Sequence, residues 1–263
     1  MPAHLDAAEL HHGSHRRLLR DEKLPWGKPF ARLDAIMVPT VRPVDSLRHV
    51  MQVGRLIDCP VVVFCSGSAS AASAHQMAEE LGAAVLAIDV HRPLASTLPR
   101  FATDQLLRAN GFGSDSDLSL KRNLGLALAR GSSWRRVLFL DDDIAVEDPM
   151  QLHHAAGLVD HYRAVGLENH GFEDNSVVCH AYRQAHGKQE SFIGGGAMIV
   201  DASQTTSFNP NIYNEDWFFL LGDGTPILVA RAGAMSQRIF DPFADPERAR
   251  REELGDTLAE GLF

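Results

Sequence analysis

The sequence is poor in cysteine and in basic residues. Its three cysteines, Cys59, Cys65 and Cys179, are odd in number and lack CxxC spacing, which argues against a disulfide framework or a structural zinc site. Lys and Arg total 25 against 34 Asp and Glu, for a formal charge of −9. Proteins that bind nucleic acid usually carry clustered Lys and Arg on a basic background. We therefore expect reduced thiols and no nucleic-acid partner.

Long apolar runs are also missing. No stretch approaches the roughly 20 apolar residues that a helix needs to cross a bilayer, and the first residues lack the apolar core of a secretory signal. We expect a soluble, cytoplasmic protein with no transmembrane segment. The 263 residues, 45% of them hydrophobic, are enough for one large α/β domain.

The most informative feature is an apolar run that ends in three acids. Val137 to Leu140 lead directly into Asp141, Asp142 and Asp143. A continuous apolar run predicts a strand buried on both faces of a parallel sheet, and open α/β sheets bind ligands at the carboxyl ends of their strands. Period-two alternation would place Asp141 and Asp143 on one side and Asp142 on the other. The acids could instead cap the next helix or lie in solvent.

No Lys or Arg adjoins the three acids in the sequence, and neighbouring carboxylates repel one another. This favours a hard divalent cation, Mg²⁺ or Mn²⁺, which often also keeps waters and substrate phosphates as ligands. The hypothesis is that this acid cluster binds a divalent metal ion.

Strands and helices alternate through the first half of the chain. The predicted strands are 35–38, 60–65, 84–88 and 137–140. Of the three main predicted helices, one begins at Asp45, the second ends at about Leu81, and the third spans Leu118 to Arg130. Such alternation is typical of a doubly wound parallel sheet. Residues 1–30, which include His11, His12 and His15, are predicted to form a peripheral arm. Residues 31–241 are predicted to form one domain, with halves at about 31–148 and 149–241.

The second half differs in character. Residues 164–190 are polar and rich in histidine, and 191–200 are predicted to be a strand interrupted by Gly194, Gly195 and Gly196. Glycine in a strand often marks the close approach of a ligand, although a bulge is the alternative. An acid pair, Glu215 and Asp216, follows. Residues 226–230 are a possible strand, and 242–263 are predicted to be a peripheral helix.

Taken in order, these pieces resemble the nucleotide-sugar-dependent glycosyltransferases of the GT-A fold, in particular those of family 2. The matching residues are Pro39-Thr40-Val41-Arg42, Lys121-Arg122-Asn123-Leu124-Gly125-Leu126, the DxD-like acids, the glycine segment and Glu215-Asp216, within about 33–220. The resemblance implies a mostly parallel, Rossmann-like sheet with helices on both faces and a smaller acceptor-side subregion. It also implies transfer of a sugar from a UDP- or GDP-linked donor to an unknown hydroxyl acceptor, with inversion expected.

The same resemblance implies that residues 31–241 are a catalytic domain with a nucleotide-binding half and an acceptor half, and it implies roles for individual residues. Asp143 would hold the divalent ion, and Asp141 would assist it or contact the ribose. Asp216 would be the base that deprotonates the acceptor and Glu215 would contact the acceptor, although both could simply complement a helix dipole. Asn123 would tie neighbouring loops together, and one of Lys121 and Arg122 is expected to face solvent. The residues expected at the donor are Pro39, Thr40, Arg42, Asp89, Arg122, Asp141, Asp142, Gly195 and Gly196.

Other interpretations stay open. Asp141 to Ala145 approximate the nucleophile motif of haloacid-dehalogenase-like phosphatases, and Gly222-Asp223-Gly224 approximates their late metal motif, but about 100 residues of βα units precede the acids. A nucleotidyltransferase would need a glycine-rich loop after the first strand, which is missing. A noncatalytic nucleotide-sugar-binding module is the third alternative. The family's usual acid after the second strand is replaced here by Cys65-Ser66-Gly67-Ser68, so the nucleotide base stays open.

Overall fold

A computed structural model describes residues 19–21, 30–91, 101–170, 177–186, 193–221, 228–238, 241 and 243–262. The histidines of the predicted arm and the Gly222-Asp223-Gly224 motif lie outside these ranges. The described strands form one sheet: β1 Leu19–Asp21, β2 Ala35–Thr40, β3 Val61–Cys65, β4 Val85–Asp89, β5 Arg136–Leu140, β6 Ile144–Val146, β7 Ala164–Asn169, β8 Ala197–Asp201 and β9 Val229–Gln237.

The strand order across the sheet is β4-β3-β2-β5-β8-β7-β9-β1, with β6 paired to β9. Strands β4, β3, β2 and β5 are parallel, β8 is antiparallel to both of its neighbours, and β7, β9 and β1 are again parallel to one another. The expectation of a mostly parallel α/β sheet is confirmed. The carboxyl ends of β2, β3 and β5 consequently meet at one edge.

Helices cover both faces of this sheet. They are a 3-10 helix Val44–Leu47, α1 Arg48–Leu56, α2 Ala71–Leu81, α3 Ala102–Ala109, α4 Leu118–Gly131, α5 Gln151–Leu158, α6 Val177–Gln184, α7 Glu215–Leu221 and α8 Pro246–Leu262. Within the described ranges, no helix combines the length and apolar character needed to span a membrane.

Two apolar clusters lie on opposite sides of the strands because successive side chains alternate. Met51, Met77 and Leu152, from α1, α2 and α5, belong to one cluster. Leu126 and Phe219, from α4 and α7, belong to the other. The central strands contribute to both clusters, which explains their unbroken apolar sequences.

The strand segments differ from the sequence prediction in several places. Leu19–Asp21, inside the predicted arm, pairs with β9. The prediction of a polar region from 164 was wrong at its start, because Ala164–Asn169 is strand β7 with its first four residues buried. Gly194, Gly195 and Gly196 lie in the turn that leads into β8 and not in the strand itself. Residues 191 and 192 lie outside the described ranges.

Candidate active site

The three acids follow β5 at the edge where the parallel strands end. β5 ends at Leu140, and Asp142 and Asp143 form a turn before β6. The prediction that strand alternation separates Asp142 from Asp143 was therefore wrong. The Asp141 amide donates to the Gly196 carbonyl oxygen at 2.9 Å. This bond joins the acid turn, Asp141 to Asp143, to the glycine turn, Gly194 to Gly196.

Asp142 is the structural centre of the acid turn. It is buried, and its Oδ2 accepts from Thr40 Oγ1 at 2.5 Å and from Ser46 Oγ at 3.3 Å. Its Oδ1 accepts from Arg42 Nη1. Three donors, from the end of β2 and the segment that follows it, therefore hold this carboxylate. Asp142 thereby fixes the acid turn to the end of β2.

Asp143 shares the same arginine. Arg42 Nη2 donates to Asp143 Oδ2 at 3.1 Å, and this is the one hydrogen bond that the Asp143 side chain accepts from described residues. Burial lowers the pKa of Arg42, but Asp142 and Asp143 outweigh that effect and raise it. Arg42 therefore neutralises part of the charge of the acid turn.

Arg122 connects Asp141 to the acid pair at the start of α7. Its Nη2 donates to the two carboxylate oxygens of Asp141 at 3.0 and 3.1 Å, and its Nη1 donates to Glu215. The side chain is only 4% exposed. Burial lowers the pKa of Arg122, but the surrounding acids raise it by more than burial lowers it, so the guanidinium stays charged. Burial in turn raises the pKa of Asp141, with Arg122 opposing the rise.

Glu215 and Asp216 are both buried, but they have different partners. Asp216 accepts from the Gly195 amide and from the Trp217 amide, the latter at 3.0 Å. Glu215 has a pKa raised to about 7, first by burial and then by Asp216 and Asp141, against the lowering effect of Arg122. Asp216 is thus held by backbone amides, whereas Glu215 is an acid poised near neutral pH.

Helix α8 supports the segment that precedes the acid pair. Asn214, which precedes the pair with φ +61°, donates through Nδ2 to Asp256 Oδ1 at 2.7 Å. Asp256 Oδ2 also accepts from the Val178 amide at 3.2 Å, at the start of α6. The predicted carboxyl-terminal helix therefore contacts the acceptor-side half.

Lys121 joins the ends of β2 and β3 to the start of α4. Its ammonium donates to the Thr40 carbonyl oxygen at 2.8 Å and to Ser66 Oγ at 2.6 Å, and pairs with Asp117 at 2.8 Å. Its side chain is 1% exposed. The expectation that Lys121 or Arg122 faces solvent was wrong, because α4 buries both.

Pro39, Asp89 and Asn123 each have a structural role that the structure makes clear. Pro39 is buried in β2, two residues after the pairing with β5 ends, so its missing N–H is tolerated. Asp89 accepts from the Ala71 amide at 2.7 Å and so caps the start of α2. Asn123 exchanges two 2.8 Å hydrogen bonds with the Asn209 backbone, which confirms its loop-tying role.

No basic residue adjoins the three acids in the sequence, but two arginines contact the acids of the site in the folded protein. Arg42 lies 100 residues from Asp142 in the chain, and Arg122 lies 93 from Glu215, yet both contact the acids directly. Sequence reasoning also missed Ser46, whose only signal was its place just after the donor-side loop.

The acids suit a cation that is held jointly by the protein and a substrate better than one that is enclosed by protein side chains alone. In the described part of the chain, no group of three or more histidine, cysteine or acidic side chains is arranged to hold a metal ion by itself. Magnesium-type ions, however, are commonly held by one or two carboxylates together with substrate phosphates. Asp143 and Asp141 supply hard oxygen donors of that kind.

Comparisons with known proteins bear on the fold. No protein-family model and no curated protein sequence matches the chain. Among solved structures, mannosyl-3-phosphoglycerate synthase from Rubrobacter xylanophilus is similar, with a TM-score of 0.55 and 16% identity over 98% of this chain and 85% of that one. A mannosyltransferase from Pyrobaculum calidifontis in complex with GDP-mannose and Mn²⁺ has a TM-score of 0.51 and 12% identity, over 95% and 71% of the two chains. These likenesses confirm the GT-A fold.

Proposed function

We propose that this protein is a glycosyltransferase that moves a sugar from a nucleoside-diphosphate donor to a hydroxyl acceptor. The observation that carries the proposal is the meeting of the acid turn, the glycine turn and the acid pair around Arg122, at the carboxyl edge of a GT-A sheet. Ligands of open α/β sheets bind at such edges. The solved structures of similar fold, one of them holding GDP-mannose and Mn²⁺, support a nucleotide-sugar donor.

The donor side of the site is formed by the ends of β2 and β5. Thr40 and Arg42 lie beside the acid turn, and Arg42 is the one described residue that donates to the Asp143 side chain. Asp143, with Asp141, would hold Mn²⁺ or Mg²⁺ on the diphosphate. The cation would stabilise, as a Lewis acid, the negative charge that develops on the leaving nucleoside diphosphate.

The acceptor side is formed by the acid pair. In an inverting displacement, one carboxylate must remove the proton of the attacking hydroxyl. The family resemblance gives this role to Asp216, but its two bonds from backbone amides favour a positioning role. Glu215, with a pKa raised to about 7 by burial, is better matched to a base that works near neutral pH. We therefore assign the base to Glu215 and the support of the glycine turn to Asp216.

A screen for slow donor hydrolysis tests the activity before the acceptor is known. UDP- and GDP-linked sugars, GDP-mannose among them, are incubated with the protein and Mn²⁺, and release of the nucleoside diphosphate is measured. We expect at least one donor to be hydrolysed. Glu215→Gln should lower that rate by on the order of 100-fold, the scale of general-base catalysis, and should leave donor binding intact.

Glu253→Gln on the exposed face of α8 is the matched control and should hydrolyse the donor normally. If Asp216→Asn stops turnover while Glu215→Gln does not, the base is Asp216. If no nucleotide sugar is bound or hydrolysed, the proposed function is wrong.

A further inference from the structure

The backbone around Arg42 is fixed on both sides. The Val41 carbonyl oxygen accepts from the Ser68 amide at 2.9 Å, and a Cβ on Gly67 would lie only 2.8 Å from that oxygen. The Arg42 amide donates to Thr40 Oγ1 at 3.3 Å, and Pro43, which comes next, has a fixed φ and also restricts the backbone of Arg42. Movement of the Arg42 guanidinium therefore requires only side-chain rotation.

The side chain itself is half exposed. Arg42 is 46% exposed, whereas its partners Asp142 and Asp143 are 3% and 12% exposed. If the guanidinium left, Asp142 would lose the donor to its Oδ1 but keep its hydrogen bonds from Thr40 and Ser46. Asp143 would lose its one described side-chain donor. The departure of Arg42 therefore leaves Asp142 held by two donors and leaves the Asp143 carboxylate with none from the described residues.

We infer that Arg42 is an exchangeable counter-ion of the acid turn. In the free protein its guanidinium occupies Asp142 and Asp143. When the donor binds, Arg42 rotates from Asp143 to the donor diphosphate, for which its planar, permanently charged fork is suited. Asp143 is then open to the cation. This inference rests on the proposed function, since it names the residue that links cation binding to donor binding.

Such an exchange couples the two binding events. A divalent cation and the guanidinium carry like charge and compete for Asp143, so a cation alone binds weakly while Arg42 is in place. A diphosphate draws Arg42 away and lowers that cost. By linkage, the cation must then strengthen nucleotide binding by the same factor.

A calorimetric titration of the protein with Mn²⁺ alone tests the exchange, and it requires no turnover. Arg42→Gln should bind Mn²⁺ about fivefold or more tightly than wild type, the size expected when a partly exposed ion pair need not be broken. Arg42→Lys keeps a positive charge and should stay close to wild type. Circular dichroism shows whether each variant is folded.

Arg135→Gln is the matched control. Arg135 is 44% exposed and pairs with Asp201 and Asp160, but it precedes the amino-terminal end of β5. It should leave Mn²⁺ binding unchanged although it also removes one charge and takes one partner from each of two acids. If Arg42→Gln binds Mn²⁺ no more tightly than wild type does, or if Arg135→Gln tightens binding equally, Arg42 is not an exchangeable counter-ion.

A parallel titration with UDP and GDP keeps the two claims apart. Nucleoside diphosphate binding by wild type that weakens in Arg42→Gln supports the second half of the exchange, and equal binding by both overturns it. Failure of wild type to bind either nucleotide would instead remove the proposed function, whatever the Mn²⁺ titrations give.

Discussion

At the scale of single residues, Glu215 is distinguished by a carboxyl group that is buried beside other acids. It is 7% exposed and shares Arg122 with Asp141, and Asp216 is its neighbour in the chain. Burial raises its pKa to about 7, from an ordinary value of 4.5. The folded protein therefore binds a proton at Glu215 over a pH range in which the unfolded chain has already released it.

This has a definite sign for stability. Because the folded-state pKa is raised for an acid, the free energy of unfolding falls as the pH rises from about 4.5 through about 7. Relative to Glu215→Gln, wild type should lose up to about 3 kcal/mol between pH 5 and pH 8. Urea unfolding at several pH values measures this difference. Parallel stability curves for the two proteins would show that Glu215 titrates normally.

At the scale of secondary-structure elements, the glycine turn and α4 are fitted to each other. A Cβ on Gly195 would lie 2.5 Å from Arg122 Nη1 and 2.9 Å from its Cζ. The Arg122 guanidinium therefore occupies the space that a side chain at 195 would need. The turn is glycine because it must pass over a buried arginine, and Asp216 fixes it from the other side.

We predict that Gly195→Ala displaces Arg122 from Asp141 and Glu215. Breaking a buried ion pair on one side typically costs about 3–5 kcal/mol, so urea unfolding should report a loss of that order. Gly131→Ala in α4 is the control, since a Cβ there meets nothing within 4 Å and alanine favours a helix. Equal stability of Gly195→Ala and wild type would mean that the turn moves freely away from Arg122.

Elements could be predicted from the sequence where their burial is uniform. The four predicted parallel strands each differ from β2 to β5 by at most two residues at an end. Strands β2, β3 and β5 are buried almost throughout and are therefore largely apolar, whereas β4 is partly exposed but still follows an apolar run. β7 was missed because Ala164–Asn169 contains a glycine and ends in Glu168 and Asn169. β9 extends well past the predicted 226–230, since polar residues such as Arg231 and Ser236 interrupt its apolar pattern.

At the scale of the whole molecule, the site is assembled from distant parts of the chain. The acids were identified from the sequence because they follow a strand directly. Their partners Arg42 and Arg122 were named as donor-side residues, but their ion pairs could not be predicted, since each spans many residues and depends on strand order. Charge compensation at this edge is therefore a property of the fold and not of local sequence.

The central claim is that the acid turn binds a divalent cation together with a nucleoside diphosphate. Calorimetry with UDP and GDP, with and without Mn²⁺, tests it most directly. We expect at least one of the two nucleotides to bind more tightly with Mn²⁺. Asp143→Asn should abolish that gain, whereas Asp58→Asn, at an exposed acid outside the site, should keep it. Binding of neither nucleotide with or without Mn²⁺, or a full Mn²⁺ gain in Asp143→Asn, would contradict the account.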